Sequence, residues 1–324
     1  MPVPSTNYSD VVVTTAADSG YFDMFQGMIH SLRNVGSGRH LKICAFDLGL
    51  KPEERQWLEG VGVTFAEPRW HLGLGDGMMP YWHLAEIVRP FVRDYFPGYR
   101  HYLWLDPDLW LQDGTVIDRL IMGSRKTGAA IAHEADRSYR FQGWHFGWNL
   151  KHKMLGLGPR DGLLLMIKPQ LNCGVYCIQA DAPHWKAWTI RLKRAIDRTG
   201  RVAPHSQFTF NQIVYCDKLP TRILDSSDNW ICDRAPPMWD ENEQLFCKPY
   251  APYKPLSLLH LAGPAKHRYY TIETTSGLKK HQVSLRYPRM ADVTTEACVL
   301  GVWDTPQHQE SPRIQGSGGM LLPG

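Results

Sequence analysis

Long apolar runs are missing from this sequence of 324 residues. No window of about 18 residues is apolar enough to cross a bilayer, so membrane contact is expected to be peripheral at most. The opening residues, MPVPSTNYSD, lack the basic start and apolar segment of a secretory signal. An excess of one charge sign is also missing. With Lys+Arg 36 against Asp+Glu 32 the formal net charge is only +4, without the concentrated basic stripe that nucleic acid would want. Cysteine pairs at zinc-like spacing are absent. Cys44, Cys173, Cys177, Cys216, Cys232, Cys247 and Cys298 are odd in number and scattered, and only Cys173 and Cys177 lie close together. They read as reduced thiols of a cytoplasmic protein. Internal repeats are lacking too, and no second domain is expected.

What remains is the composition of a globular enzyme, 43% hydrophobic and 21% charged, with a high count of 12 Trp. Asp10–Thr15 is a β-branched run and the expected first strand, followed by a loop and helical spacing from Tyr21 to Leu32. Leu41–Phe46 is a second strand, Pro52-Glu-Glu opens a helix, and Val61–Phe65 is a third strand. That alternation predicts an α/β fold with parallel strands and crossover helices, whose ligands bind beyond the carboxyl ends of the strands. A helix is expected over Trp82–Tyr95, interrupted at Pro90, and a short strand over Lys126–Ala132. Further on, Leu171–Ile178 and Leu256–Gly263 read as strands, while helices are expected from Pro183 to Asp197 and from Ser206.

The most informative stretch is Tyr102-Leu-Trp-Leu-Asp-Pro-Asp-Leu-Trp-Leu. An apolar strand ending in Asp106 and Asp108 would put both carboxylates on one side, as residues i and i+2 do, and together they suit Mn2+ or Mg2+. The same Asp-Pro-Asp is also good turn chemistry, so spacing alone leaves both readings open. Asp18 and Tyr21 equally suit a helix cap and a core aromatic. Residues 133–170 carry Trp144, His145, Trp148, Lys151 and His152 with no clear period, as expected of a functional or mobile segment. Lys279, Lys280, Arg286 and Arg289 form a modest basic cluster that reads as a solvated face or a contact for an anionic membrane.

Taken in order, TTAADSGY, AFDLGLKPEE, Arg89, LWLDPD, LNCGV, SQFTFN and HLAGPAK resemble glycosyltransferase family 8. These are retaining enzymes of the GT-A fold that include bacterial lipopolysaccharide galactosyltransferases and glycogenin. The resemblance covers residues 8–268 and implies a single mixed, Rossmann-like sheet flanked by helices. On it, 1–303 is the catalytic domain, 133–170 an acceptor-side insert and 304–324 a flexible tail. It further implies transfer of a hexose from a UDP-sugar, UDP-glucose or UDP-galactose, to the hydroxyl of a glycan, lipid-linked sugar, small molecule or protein. By matching positions, Asp106, Asp108 and His260 would hold Mn2+ or Mg2+. Thr15, Ala16, Ala17, Asp18 and Tyr21 would hold the nucleotide, and Lys266, beside Gly263, its diphosphate. Arg89, Asn172 and Gly174 would border donor phosphate and sugar, and Gln207 would sit beside the anomeric carbon. Ser206 stands where the family has Asp. Three rivals are a nucleotide-sugar hydrolase, a self-glycosylating or non-catalytic binding protein, and a nucleotidyltransferase. The last would show a basic, glycine-rich first loop, which TTAADSGYF lacks.

Overall fold

A computed structural model describes residues 8–287 except 142, 278 and 279. The expected tail from 304, Cys298, Lys279 and Arg289 lie outside the described residues.

The first strand, β1 (Val11–Ala17), is apolar on both sides because both sides are covered. Val12 and Ala16 enter one buried cluster, and Val11, Val13 and Ala17 enter another. Helix α1 (Phe22–Asn34) leads to β2 (Lys42–Asp47), and α2 (Pro52–Gly60) leads to β3 (Val63–Ala66). Next comes α3 (Leu84–Ile87), then α4 (Val92–Tyr95) and β4 (His101–Leu105). The helix expected over Trp82–Tyr95 is thus in pieces, with 3-10 turns at Tyr81–His83 and Arg89–Phe91. Pro90 has no N–H to donate to a continuing helix, and its ring disfavours a helical residue before it.

After β4 the chain forms β5 (Leu109–Leu111), α5 (Thr115–Thr127) and β6 (Ala129–His133). Lys126 and Thr127 close α5 instead of opening a strand, because Gly128 at φ 88° takes the C-terminal turn. Residues 133–170 are largely helical, which corrects the aperiodic segment expected there: α6 (Gly143–Leu157) and α7 (Pro159–Leu164) precede β7 (Leu171–Gln179). The absence of a clear apolar period has a cause. Trp144, Trp148 and Leu155 lie on the exposed side of α6, while Lys153 and Gly156 lie on its buried side. A Cβ at Gly156 would come within 2.4 Å of His205 Nδ1, so glycine is what lets α6 approach the next layer.

Helices α8 (His184–Thr199) and α9 (His205–Tyr215) lead to β8 (Thr221–Leu224). The central sheet runs β3-β2-β1-β4-β7-β6-β8, with β7 antiparallel to both neighbours and the other pairs parallel. Side chains of α1, α2 and α5 pack on one face, and those of α3, α8 and α9 on the other. This is the mixed, helix-flanked α/β sheet that the resemblance implies.

The remaining strands are β9 (Trp230–Ile231), β10 (Met238–Asp240), β11 (Leu245–Cys247), β12 (Leu258–His260), β13 (Tyr269–Glu273) and β14 (Lys280–Ser284). A small sheet β5-β12-β9 shares a third buried cluster containing Trp230, Phe246, Leu259 and Ile272. Among the described residues no helix is long and apolar enough to cross a membrane. Two members of the basic cluster are engaged within the protein. Lys280 pairs with Glu273 at 2.6 Å, and Arg286 Nε donates to the Lys266 carbonyl at 2.6 Å.

Candidate metal centre and adjoining cavity

The two aspartates sit where the chain passes from the large sheet to the small one. β4 stops at Leu105, and the Asp106 N–H donates to the Gly174 carbonyl of β7 at 2.8 Å. Asp106-Pro-Asp108 then turns the chain into β5. There Leu109 pairs with His260 across the antiparallel β5–β12 ladder, and the Leu261 N–H donates to the Asp108 carbonyl at 2.8 Å. Strand alternation therefore does not bring the carboxylates together, as the spacing had suggested. A turn does so, and β12 supplies the imidazole from the other sheet.

One oxygen of each carboxylate is already held, and the other faces His260. Asp106 Oδ1 accepts from Trp104 Nε1 at 2.7 Å and Arg89 Nη2 at 3.0 Å, leaving Oδ2 at 3.8 Å from His260 Nε2. Asp108 Oδ2 accepts from Lys266 Nζ at 3.0 Å, and its Oδ1 lies 3.3 Å from His260 Nε2. A donor atom from each of the three residues lies within 4.8 Å of the others.

The imidazole is oriented through a relay of amides. Glu134 can only accept, so Asn172 turns its Nδ2 to Glu134 Oε2 (2.9 Å). Asn172 Oδ1 then accepts from Asn229 Nδ2 (3.0 Å), which leaves Asn229 Oδ1 to accept from His260 Nδ1 (2.9 Å). Nδ1 thus carries a proton, and Nε2 is the nitrogen turned to the carboxylates.

The electrostatics follow from burial and these contacts. Burial raises the Asp106 pKa, against the lowering effect of Arg89 and His260. Burial acts on Asp108 in the same sense, but hydrogen bonds and charge from His260 and Lys266 prevail and hold it below the usual carboxylate range. Burial would lower His260, yet Asp108 raises it. For Arg89, burial is outweighed by the carboxylates of Glu86 and Asp106, which raise its pKa.

A divalent cation fits this donor set on two observations. Two carboxylate oxygens and one imidazole nitrogen are ligands that Mn2+ accepts, each held by an outer partner. Gly174 also leaves space where a side chain would intrude: a Cβ there would lie 2.4 Å from His260 Cε1 and 2.7 Å from Asp106 Oδ2.

The expected nucleotide loop lies beside this centre. Lys266 Nζ donates to the Tyr21 hydroxyl at 2.6 Å and sits 4.2 Å from that ring's centroid, so Tyr21 borders the centre while its ring also packs against the core. Asp18 makes no side-chain cap to the turn that follows it. Asp18 Oδ1 and Thr15 Oγ1 are both buried with no hydrogen-bond partner among the described residues. Ala16 and Ala17 are buried in the two core layers, so only their backbone is available. Gly263, at φ 65°, adopts a backbone that favours glycine and opens the turn carrying Lys266.

Next to the centre is a cavity of ≈ 340 Å³, whose lining includes Glu86, Glu134, Trp148, Gln207, Asp233 and Gly263. Gln207 Oε1 accepts from the Cys173 N–H at 3.2 Å, which ties the head of α9 to the strand bearing Asn172 and Gly174. Ser206 does not face this space. It is 0% exposed, and its hydroxyl donates to the Glu86 carbonyl at 3.2 Å. Glu86, Glu134 and Asn229 were not singled out by the sequence, and Trp104 entered only as part of the apolar run before Asp106. Only Glu86, three residues before Arg89, carried a spacing that could have drawn attention to it.

No protein-family profile and no curated protein matches this chain. Solved structures give distant likenesses. One is the galactosyltransferase LgtC in complex with donor and acceptor sugar analogs: TM-score 0.48, 13% identity, covering 79% of this chain and 89% of that one. Another is the apo bifunctional glycosyltransferase WbbM, with TM-score 0.47, 14% identity, and 81% and 47% of the two chains covered. The third is GlyE of Streptococcus pneumoniae TIGR4, with TM-score 0.47, 17% identity, and 80% and 56% covered. Likenesses at this level do not decide a function, so the chemistry of the site has to.

Proposed function

We propose that the protein is a metal-dependent, retaining glycosyltransferase that moves a hexose from a UDP-sugar to an acceptor hydroxyl. The observation that carries this reading is the meeting of Asp106, Asp108 and His260, with Lys266 on Asp108, beside a cavity of ≈ 340 Å³. The hard part of such a transfer is departure of the nucleoside diphosphate, which gathers negative charge. A divalent cation bound to the three ligands would act as a Lewis acid on the diphosphate oxygens. The chain's own residues add to this. The Lys266 ammonium, fixed between Asp108 and Tyr21, brings positive charge next to the centre. Thr15 Oγ1 and Asp18 Oδ1, both buried and without a partner among the described residues, would be offered to the nucleotide.

In the transfer, the bond from the acceptor oxygen to the anomeric carbon forms as the bond to the UDP oxygen breaks. Gln207 is no nucleophile for a double displacement. Attack from the face that UDP leaves is therefore favoured, with the acceptor's proton passing to the departing oxygen.

The test is incubation with Mn2+, UDP-glucose or UDP-galactose and a panel of glycan acceptors, followed by mass spectrometry. A new glycoside supports the reading. Free hexose alone points to a hydrolase, a hexose added to the protein points to self-glycosylation, and no product in any form overturns the reading.

A further inference from the structure

Three carboxylates line the cavity: Glu86, Glu134 and Asp233. Both oxygens of Glu134 are occupied, Oε1 by Gln170 Nε2 at 2.6 Å and Oε2 by Asn172 Nδ2 at 2.9 Å. Asp233 lies on the side of the Lys266 turn, where Arg268 donates to it at 3.4 Å. Glu86 differs from both. Its Oε2 lies 3.5 Å from Arg89 Nη1, its side chain is 24% exposed, and no hydrogen bond reaches Oε1 among the described residues.

The guanidinium that steadies Glu86 also steadies the metal centre. Arg89 is 6% exposed, stacks over the Trp104 ring at 5.0 Å, and gives Nη2 to Asp106 Oδ1 at 3.0 Å while Nη1 turns to Glu86. One rigid cation therefore sets the distance between a ligand of the centre and an acid in the cavity wall. Ser206, at the head of α9, offers no group to that wall because its hydroxyl is turned to the Glu86 carbonyl at 3.2 Å. The cavity acid beside Gln207 is thus supplied from α3, across the contact with Ser206.

We infer that Glu86 is the residue that reads the hydroxyls of the donor hexose, accepting their hydrogen bonds on the oxygen that Arg89 leaves free. The inference rests on the donor reading above. A carboxylate steadied by an arginine at one oxygen keeps its acceptor capacity mainly on the other, and vicinal hydroxyls match that. A deoxy or hydroxyl-poor ligand would strand the acceptor. Glu86 touches hydroxyls, not the breaking bond, so its removal should weaken sugar recognition while leaving nucleotide recognition intact.

The experiment is calorimetric titration of the full chain with Mn2+, using UDP, UDP-glucose and UDP-galactose in turn. Wild type should bind at least one UDP-hexose more tightly than UDP. Glu86→Gln, nearly isosteric, should bind UDP as wild type does and lose about 10- to 100-fold toward that UDP-hexose, the size of a hydrogen bond to a charged group. Glu86→Ala should lose as much. If wild type gains affinity from the hexose and Glu86→Gln gains the same, the Glu86 assignment falls and the donor reading stands. If wild type gains nothing from either hexose, the donor reading falls and takes Glu86 with it. Equal losses for UDP and UDP-hexose would make Glu86 a merely structural partner of Arg89 and overturn the inference.

Discussion

The Nδ1 of His260 lies 2.9 Å from Oδ1 of Asn229, and that contact decides which imidazole nitrogen faces the two aspartates. Asn229 can accept there only because its Nδ2 is committed to Asn172. Asn229→Ala should therefore loosen the ring without removing a ligand. The expected outcome is a loss of about tenfold or more in Mn2+-dependent UDP affinity, the usual scale for an outer partner of a metal ligand. Calorimetry with and without Mn2+ checks it, and unchanged affinity would mean that the ring is held by packing alone.

Gly174 is the position where a single methyl group should do most harm. A Cβ there would meet His260 Cε1 at 2.4 Å and Asn172 Oδ1 at 2.8 Å, neither of which is the end of a flexible chain. Gly174→Ala should abolish Mn2+-dependent UDP binding while the variant retains a cooperative thermal transition. A variant that binds UDP normally would show that the centre has slack.

Stability should depend on pH through two buried imidazoles. Burial pushes His184 and His205 down to about 4 from an ordinary 6.5. Between those values the unfolded chain binds more protons than the folded one, so their contribution is complete above pH 6.5 and is lost as pH falls toward 4. Asp136 and Asp225 shift in the same direction, from a lower starting value. Each is held below the usual carboxylate range, burial being outweighed by Lys248 and backbone donors, so their loss begins only below about pH 4. Urea unfolding should show a lower midpoint at about pH 5 than at about pH 7.5. His260, raised by Asp108, acts in the opposite sense, so the decisive check is His184→Gln: it should shrink the difference, and an unchanged difference would contradict the burial of that ring.

Lys248 ties the start of the α6 segment to the small sheet. Its Nζ donates to Asp136 Oδ2 at 2.8 Å and to Ser226 Oγ at 2.9 Å, and the Asp136 side chain is only 2% exposed. Lys248→Met would leave that buried carboxylate without its counter-charge, at a cost of about 3 kcal/mol or more. Chemical unfolding measures it, and a loss under about 1 kcal/mol would show that Tyr250 and Ser138 suffice for Asp136.

The legible residues were those whose type is chemically unusual in its setting. Two acids behind an apolar strand, a histidine at the end of another and a lysine six residues later stand out against their neighbours, and the structure brings Asp106, Asp108, His260 and Lys266 together. The alternation of strands and helices before Ala66 was legible for the same reason, since each period is sustained. Asn229 was not, because an asparagine 31 residues before its partner has no local mark. Helix α6 was hidden by its own exposed face: Trp144, at 73% exposure, breaks the apolar period that would have revealed the buried side. The placement of Asp106 and Asp108 in a turn between two sheets depends on the β5–β12 pairing, a long-range contact that spacing does not encode.

The central claim is that Asp106, Asp108 and His260 hold a divalent cation for a nucleoside diphosphate. Calorimetric titration of UDP into the wild-type chain and Asp108→Ala, each with Mn2+ and with chelator, tests it most directly. The account predicts tight binding by wild type with Mn2+ and none of that gain in the other three titrations. Equal UDP affinity with and without Mn2+, or an undiminished Mn2+ effect in Asp108→Ala, would contradict it.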